Sequence, residues 1–155
     1  MLDRIFPKQF DNAYRGHWLG IWLLVPIVLL RLVIGVNSMW HPYEIATTAD
    51  AIPLDLYTGG GEAAAISMFV SLGFFFFLFA LLGILVLIRY RTMIPLMYLL
   101  LLAQQLGSRV IGYFHPIVHA SGVHLGLTVT LTILALTLLG FVLSLLKTVK
   151  PQTAS

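Results

Sequence analysis

Cysteine is absent from the 155 residues, which excludes disulfides, thiolate metal centres, cysteine-ligated iron–sulfur clusters and thiol redox chemistry by the chain itself. Charge is nearly as scarce, with Asp, Glu, Lys and Arg together making up only 10% of the residues. Soluble domains carry about 25% charged residues, so a soluble globular fold is excluded. The net charge of +3 would suit nucleic acid only if the basic residues gathered on a solvated face. They are instead scattered between apolar runs, and no nucleic-acid partner is expected. What the chain does have is hydrophobic length. Apolar residues amount to 59% and the mean hydropathy is +0.97, enough for about four helical crossings at about 20 residues each.

The apolar runs predict an all-α integral membrane four-helix bundle with spans at 17–36, 63–88, 94–113 and 124–146, one long outer loop at 37–62, and short tails at 1–16 and 147–155. Arg4, Lys8 and Arg15 precede the first run as they would a signal peptide. That run is longer than the apolar core of such a peptide, and Ala49-Asp50-Ala51 lies too far downstream for cleavage, so it reads as an uncleaved first helix. Those three residues, Arg89 and Arg91 after span 2, and Lys147 and Lys150 after span 4 all fall on one side. The opposite side holds Glu44, Asp50, Asp55 and Glu62 without any Lys or Arg. The positive-inside rule places both termini in the cytoplasm, and the size and style of the chain point to a bacterial inner membrane, with the lipid bilayer as first partner.

Trp18 and Trp22 at one end of span 1, and Trp40 and Tyr43 beyond the other, fit interfacial anchors. In the outer loop a short amphipathic helix is predicted near 43–52, and Gly59-Gly60-Gly61 reads as a pliant joint before span 2. Gly16-x-x-x-Gly20 and Gly122-x-x-x-Gly126 have the spacing of close helix contacts, a pattern common by chance. The run Phe74 to Phe77 reads as lipid-facing or packed aromatic surface.

Two arginines lie inside spans. Arg31 falls about five residues from the outer end of span 1, and Arg109 similarly near the outer end of span 3. Gln105, Ser108 and Gly112 recur around Arg109 at helical spacing, giving span 3 a polar stripe, and Gly35 and Ser38 share a face with Arg31. Span 4 contributes His124, Thr128 and Thr132, and span 2 contributes Ser67 and Ser71 after Glu62. An outward-facing polar pocket would collect these groups. No Asp or Glu stands inside a span, and an unpaired guanidinium in the bilayer is costly. Three neutralising partners are open: lipid phosphates reached by snorkelling, Glu62 or the other outer-loop acids, and a bound ligand bearing an anion or carbonyl oxygens, which arginine forks suit.

His115, His119 and His124 cluster in the connection before span 4. A metal bound there is disfavoured because the context matches no ligand motif, and haem ligation has no matched histidine pair in its support. A phosphate-binding glycine loop, a Ser/His/Asp set and an intramembrane carboxylate pair are all missing, so catalysis by this chain alone is not indicated. An acid relay for transport is missing too.

The segment Leu29-Leu30-Arg31-Leu32-Val33-Ile34-Gly35 and the basic turn Arg89-Tyr90-Arg91 leading into span 3 resemble DoxX-like four-helix membrane proteins. The sequence departs from that pattern in the stretch Ser67 to Phe77 and at Met39-Trp40-His41. The resemblance implies a quinone-linked redox subunit working with a partner, with Arg31 at the matched position. The residues themselves favour a binding or accessory subunit with a pocket built by Arg31, Gln105, Ser108, Arg109, His124 and Glu62. Quinone and lipid are the candidate ligands, and a membrane complex or a second copy of the chain is the candidate partner. The alternatives are the DoxX-like redox subunit and a small oligomeric transporter.

Overall fold

A computed structural model describes residues 5–7, 9, 11–115 and 125–146. Among the described residues there is no strand, and four helices are long and apolar enough to cross a membrane. They are α1 (Leu19–Trp40), α2 (Gly59–Ile88), α3 (Ile94–Phe114) and α4 (Leu125–Leu145). α1 runs four residues past its apolar run, because Asn37 and Ser38 continue the helix and the His41 N–H closes on the Asn37 carbonyl before Pro42. Arg31 therefore lies nine residues, about 13 Å of helix, from the end of α1, deeper than the sequence places it. α2 begins at Gly59, so the three glycines form its first turn and not a flexible joint. Thr58 is extended, and its carbonyl accepts the Glu62 N–H at 2.9 Å, a helical bond that spans the glycines.

α1 lies against α2 along most of their length and against α4 on its other side. α4 packs on α3, while α2 and α3 touch each other little. The α1–α2 seam is made by small residues. A Cβ added at Gly73 would lie 2.8 Å from the Ser38 Cβ and 2.9 Å from the Gly35 carbonyl oxygen, and one at Gly35 would lie 2.7 Å from the Phe77 nitrogen. The backbones of the two helices are thus in direct contact, which pays for no hydrophobic burial in lipid but maximises dispersion. Ala80 and Gly83 continue the seam, the latter under Val28. Between α1, α3 and α4 the ring of Tyr98 lies on Gly140, and its hydroxyl donates to the Gly20 carbonyl at 2.7 Å. Around it Leu24, Ile27, Met97, Leu101 and Ile133 form the main core.

The end of the bundle that carries the turn 89–93 is closed by the N-terminal segment. The Thr92 hydroxyl donates to the Asp11 carbonyl at 2.9 Å and accepts the Asp11 N–H at 3.2 Å, and the His17 N–H reaches the Leu143 carbonyl at 3.1 Å. Tyr14 lies beneath Gly16 and Gly20, so this glycine pair does mark a close contact, made with Tyr14 and with Ser144 of α4. Gly122 lies outside the described residues, and of Gly126 only its place in α4 is described. At the opposite end, Pro42–Glu44 forms one helical turn that widens into a π-turn over Ile45–Ala49, close to the short helix predicted there. Ala46, Ile52 and Leu54 bury themselves against Ala65, Ile66 and Phe69, which fixes this connection onto α2. Ala51 takes the left-handed conformation, with φ 51°.

Candidate functional site

Because α2 and α3 barely meet, the four helices do not close on one another, and a cavity of about 590 Å³ lies among them at the end that carries the 41–58 connection. α1 lines it with Arg31, Ile34, Asn37 and Ser38; α2 with Phe69, Leu72 and Phe76; α3 with Gln104, Gln105, Ser108 and Arg109; and α4 with Val129, Thr130 and Ile133. Ile45, Ala49 and Asp50 of the connection complete the wall. One side is therefore aromatic and aliphatic and the other polar, the usual division in a site for a small organic ligand.

Arg31 is only 5% exposed. Its guanidinium carbon stands 4.7 Å from the centroid of the Phe76 ring, a cation–π stack, yet its buried Nε–H has no acceptor among the described residues. Arg109, half-buried, leaves Nε and Nη2 without acceptors in the same way. Gln105 is 3% exposed and spends its amide nitrogen on the Thr137 hydroxyl of α4 at 3.1 Å, which leaves its Oε1 buried and without a donor. One residue earlier, Gln104 donates to the Ser108 hydroxyl at 3.2 Å and also leaves its Oε1 without a donor. Unmet donors and acceptors in a low-dielectric wall cost about 1–3 kcal/mol each, more where the group is charged. Such a concentration around one cavity calls for water or a ligand that supplies both kinds of hydrogen bond.

The structure brings Arg31, Gln105, Ser108 and Arg109 to this one cavity. It does not bring Glu62, which sits in the first turn of α2 away from the lining and forms no ion pair with either arginine among the described residues. His119 and His124 lie outside the described residues. His115 is exposed at the end of α3, its N–H on the Ile111 carbonyl, and no group of three metal-ligating side chains occurs among the described residues. The stripe expected on α4 is rotated. Thr128 and Thr132 face outward, the Thr132 hydroxyl satisfied by the Thr128 carbonyl at 2.9 Å, because the buried row of α4 runs Ile133, Thr137, Gly140, Ser144. Ser67 and Ser71 are likewise exposed and bonded along their own helix at 2.9 Å. Gly112 does not line the cavity.

Sequence reasoning missed Gln104, Phe76 and Asn37 as lining residues. Phe76 was hidden within an aromatic run whose first two members, Phe74 and Phe75, are exposed on the outside of the bundle. Asp50 was visible only as one of four loop acids, and the fold of the 41–58 connection singles it out. The chain matches no known protein family, no curated protein and no solved structure.

Proposed function

We propose that this chain is a multi-pass protein of the bacterial inner membrane, with both termini in the cytoplasm, that acts as a binding or accessory subunit by holding a ligand in the four-helix cavity. The observation that carries this reading is the set of buried, unpartnered polar atoms of Arg31, Gln104, Gln105 and Arg109 around one space of about 590 Å³. Structural arginines that only snorkel would keep their N–H groups toward headgroup or water, whereas the Arg31 side chain is buried with its guanidinium over the Phe76 ring. The orientation is supported by charge: Arg15, Arg89 and Arg91 lie at one end of the bundle, and Glu44, Asp50, Asp55 and Glu62 at the other.

The test is native mass spectrometry of protein gently extracted from its own membrane, wild type beside the Arg31→Gln and Arg109→Gln variants that elute as the wild type does. A discrete extra mass in the wild type, lost in the variants, is the expected result. A bare chain mass in all three would overturn the binding role. The lack of cysteine gives a direct check on orientation, since an introduced thiol is the only one present. In intact cells a membrane-impermeant maleimide should label Thr58→Cys, and it should reach Asn12→Cys only after lysis.

A second reading, the DoxX-like quinone-linked redox subunit, draws on the same guanidinium donors and the aromatic wall of Phe69 and Phe76. An oxidised quinone would bring acceptor oxygens to Arg31 and Arg109 but no donor to Gln104 and Gln105. It therefore meets half of the site. The mass of the adduct separates this reading from the first.

A further inference from the structure

The unmet atoms of the cavity are complementary to a restricted chemistry. Three N–H groups, Arg31 Nε and Arg109 Nε and Nη2, need acceptors of high electron density. Two amide oxygens, those of Gln104 and Gln105, need donors, which a carboxylate or a bare phosphodiester cannot give but a hydroxyl can. Among the described residues, the formal charge of the lining is set by Arg31 and Arg109 against Asp50, one positive charge in excess. A monoanion neutralises that excess, and a dianionic phosphate monoester would leave a net negative charge in a low-dielectric site.

The shape adds an apolar requirement. The cavity has room for about twenty water molecules at a liquid share of ~30 Å³ each, far more than one inorganic anion fills. Ile34, Phe69, Leu72 and Phe76 give it an apolar wall. α2 and α3 hardly touch, and residues that line the cavity from each, Leu72 and Ser108, are themselves exposed, so the wall opens sideways between these two helices, toward the hydrocarbon of a surrounding bilayer.

Resting on the binding role proposed above, we infer that the cavity takes the head of a monoanionic phosphodiester lipid bearing free hydroxyls, whose chains leave between α2 and α3. The phosphate lies between the two guanidiniums, and the hydroxyls donate to the amide oxygens of Gln104 and Gln105. The Arg31–Phe76 stack holds one guanidinium in place before the lipid arrives, so little order is lost on binding.

The experiment is a titration of delipidated, detergent-solubilised full chain followed by native mass spectrometry, with five probes. Phosphatidylglycerol has the monoanionic diester, hydroxyls and chains. Phosphatidylmethanol keeps the diester and chains without hydroxyls, phosphatidylethanolamine is zwitterionic, glycerophosphoglycerol is the head without chains, and inorganic phosphate is the bare anion. One phosphatidylglycerol should saturate each chain and bind at least about tenfold more tightly than any other probe, the range expected from one to two hydrogen bonds to charged or buried groups. Arg31→Gln and Arg109→Gln should each weaken it about tenfold or more. Gln104→Leu, which keeps both arginines and the Gln105 amide oxygen, should narrow the preference for phosphatidylglycerol over phosphatidylmethanol, and an undiminished preference would overturn the contact with Gln104.

Equal wild-type affinity for phosphatidylglycerol and phosphatidylmethanol overturns the role of the hydroxyls. Glycerophosphoglycerol or phosphate binding as tightly as the lipid overturns the lateral entry and makes the ligand a soluble anion. An arginine-dependent adduct from the native membrane that none of the five probes reproduces overturns the ligand class while leaving the binding role standing. No saturable adduct from any source removes both.

Discussion

Gly73 and Gly107 both stand inside helices long and apolar enough to cross a membrane, and replacing each by alanine makes the same local change with opposite expected results. In either helix the substitution removes the backbone freedom of glycine, a gain of about 0.5–1 kcal/mol on soluble-helix scales. At Gly107 on α3 the new methyl meets nothing within 4 Å among the described residues, so that gain stands alone. At Gly73 the methyl falls 2.8 Å from the Ser38 Cβ, 2.9 Å from the Gly35 carbonyl oxygen and 3.1 Å from the Met39 nitrogen. Two of these three are backbone atoms, which no rotamer change can move. Restoring ordinary contact requires α1 and α2 to separate by about half an ångström over a seam whose stability comes from close packing, and overpacking of that kind costs about 1–3 kcal/mol. The net expectation is a gain of up to about 1 kcal/mol for Gly107→Ala and a loss of up to about 2.5 kcal/mol for Gly73→Ala. Both can be read as reversible unfolding in mixed micelles, with the unfolding slope checked for constancy. A Gly73→Ala variant as stable as Gly107→Ala would refute the backbone contact, and with it the packing that sets Phe76 beneath Arg31.

Burial of Tyr14 beneath Gly16 and Gly20 pushes its phenol from the ordinary value near 10 up to about 12. The neutral form is thus favoured by folding, and its contribution to stability is complete below pH 10 and is lost as pH rises from 10 through 12. An ultraviolet titration compared with Tyr14→Phe should show one tyrosine ionising near 12, and a missing difference at that pH would mean that the N-terminal segment does not close this end of the bundle. Ala51 holds φ at 51°, a conformation that costs a residue with a Cβ about 1 kcal/mol. Ala51→Gly should therefore raise stability by up to about 1 kcal/mol in the same micellar unfolding assay, and a loss of similar size would refute the left-handed conformation at this position.

The four helices were legible because each apolar run is long enough to be read by length alone, and the shortage of charge left no competing fold. Helix ends were less legible. Polar Asn37 and Ser38 look like loop in a hydropathy profile, yet they continue α1, with Ser38 packed on Gly73 of α2 and both residues lining the cavity. The glycines at 59–61 look like a joint by propensity, but a helix start needs few side chains, and the Thr58 carbonyl with the Glu62 N–H suffices to begin one. Within the site, the stripe on α3 could be read because its polar residues interrupt an otherwise apolar helix at period 3.6. The facing surface of α4 could not. Threonine hydroxyls satisfy themselves on the carbonyl four residues back, as Thr132 and Thr137 both do, so their presence says nothing about which side is inside. Rotation of that helix is set by Gly140 under Tyr98 and by Ser144 beside Gly20, contacts between residues far apart in sequence.

The same packing explains why the chain can keep two arginines in its spans. Small residues draw α1 onto α2, and Tyr98 through Gly140 draws α3 and α4 onto α1, so three of the four neighbouring pairs are held by close contact. The fourth pair, α2 and α3, has few contacts of its own, and the polar stripe of α3 faces that gap. If the gap closed, Arg31 and Arg109 would lose the route by which a ligand could reach them, and their buried N–H groups would stay without acceptors, a cost of several kcal/mol. Left open, it lets a polar molecule reach both guanidiniums without disturbing the glycine seam. The arrangement separates a rigid part, where Gly→Ala changes are felt as strain, from a cavity whose unmet hydrogen bonds are available to a ligand. Substitutions in the seam should therefore weaken stability and binding together, whereas Gln104→Leu, which removes an unmet acceptor, should weaken binding without weakening the fold.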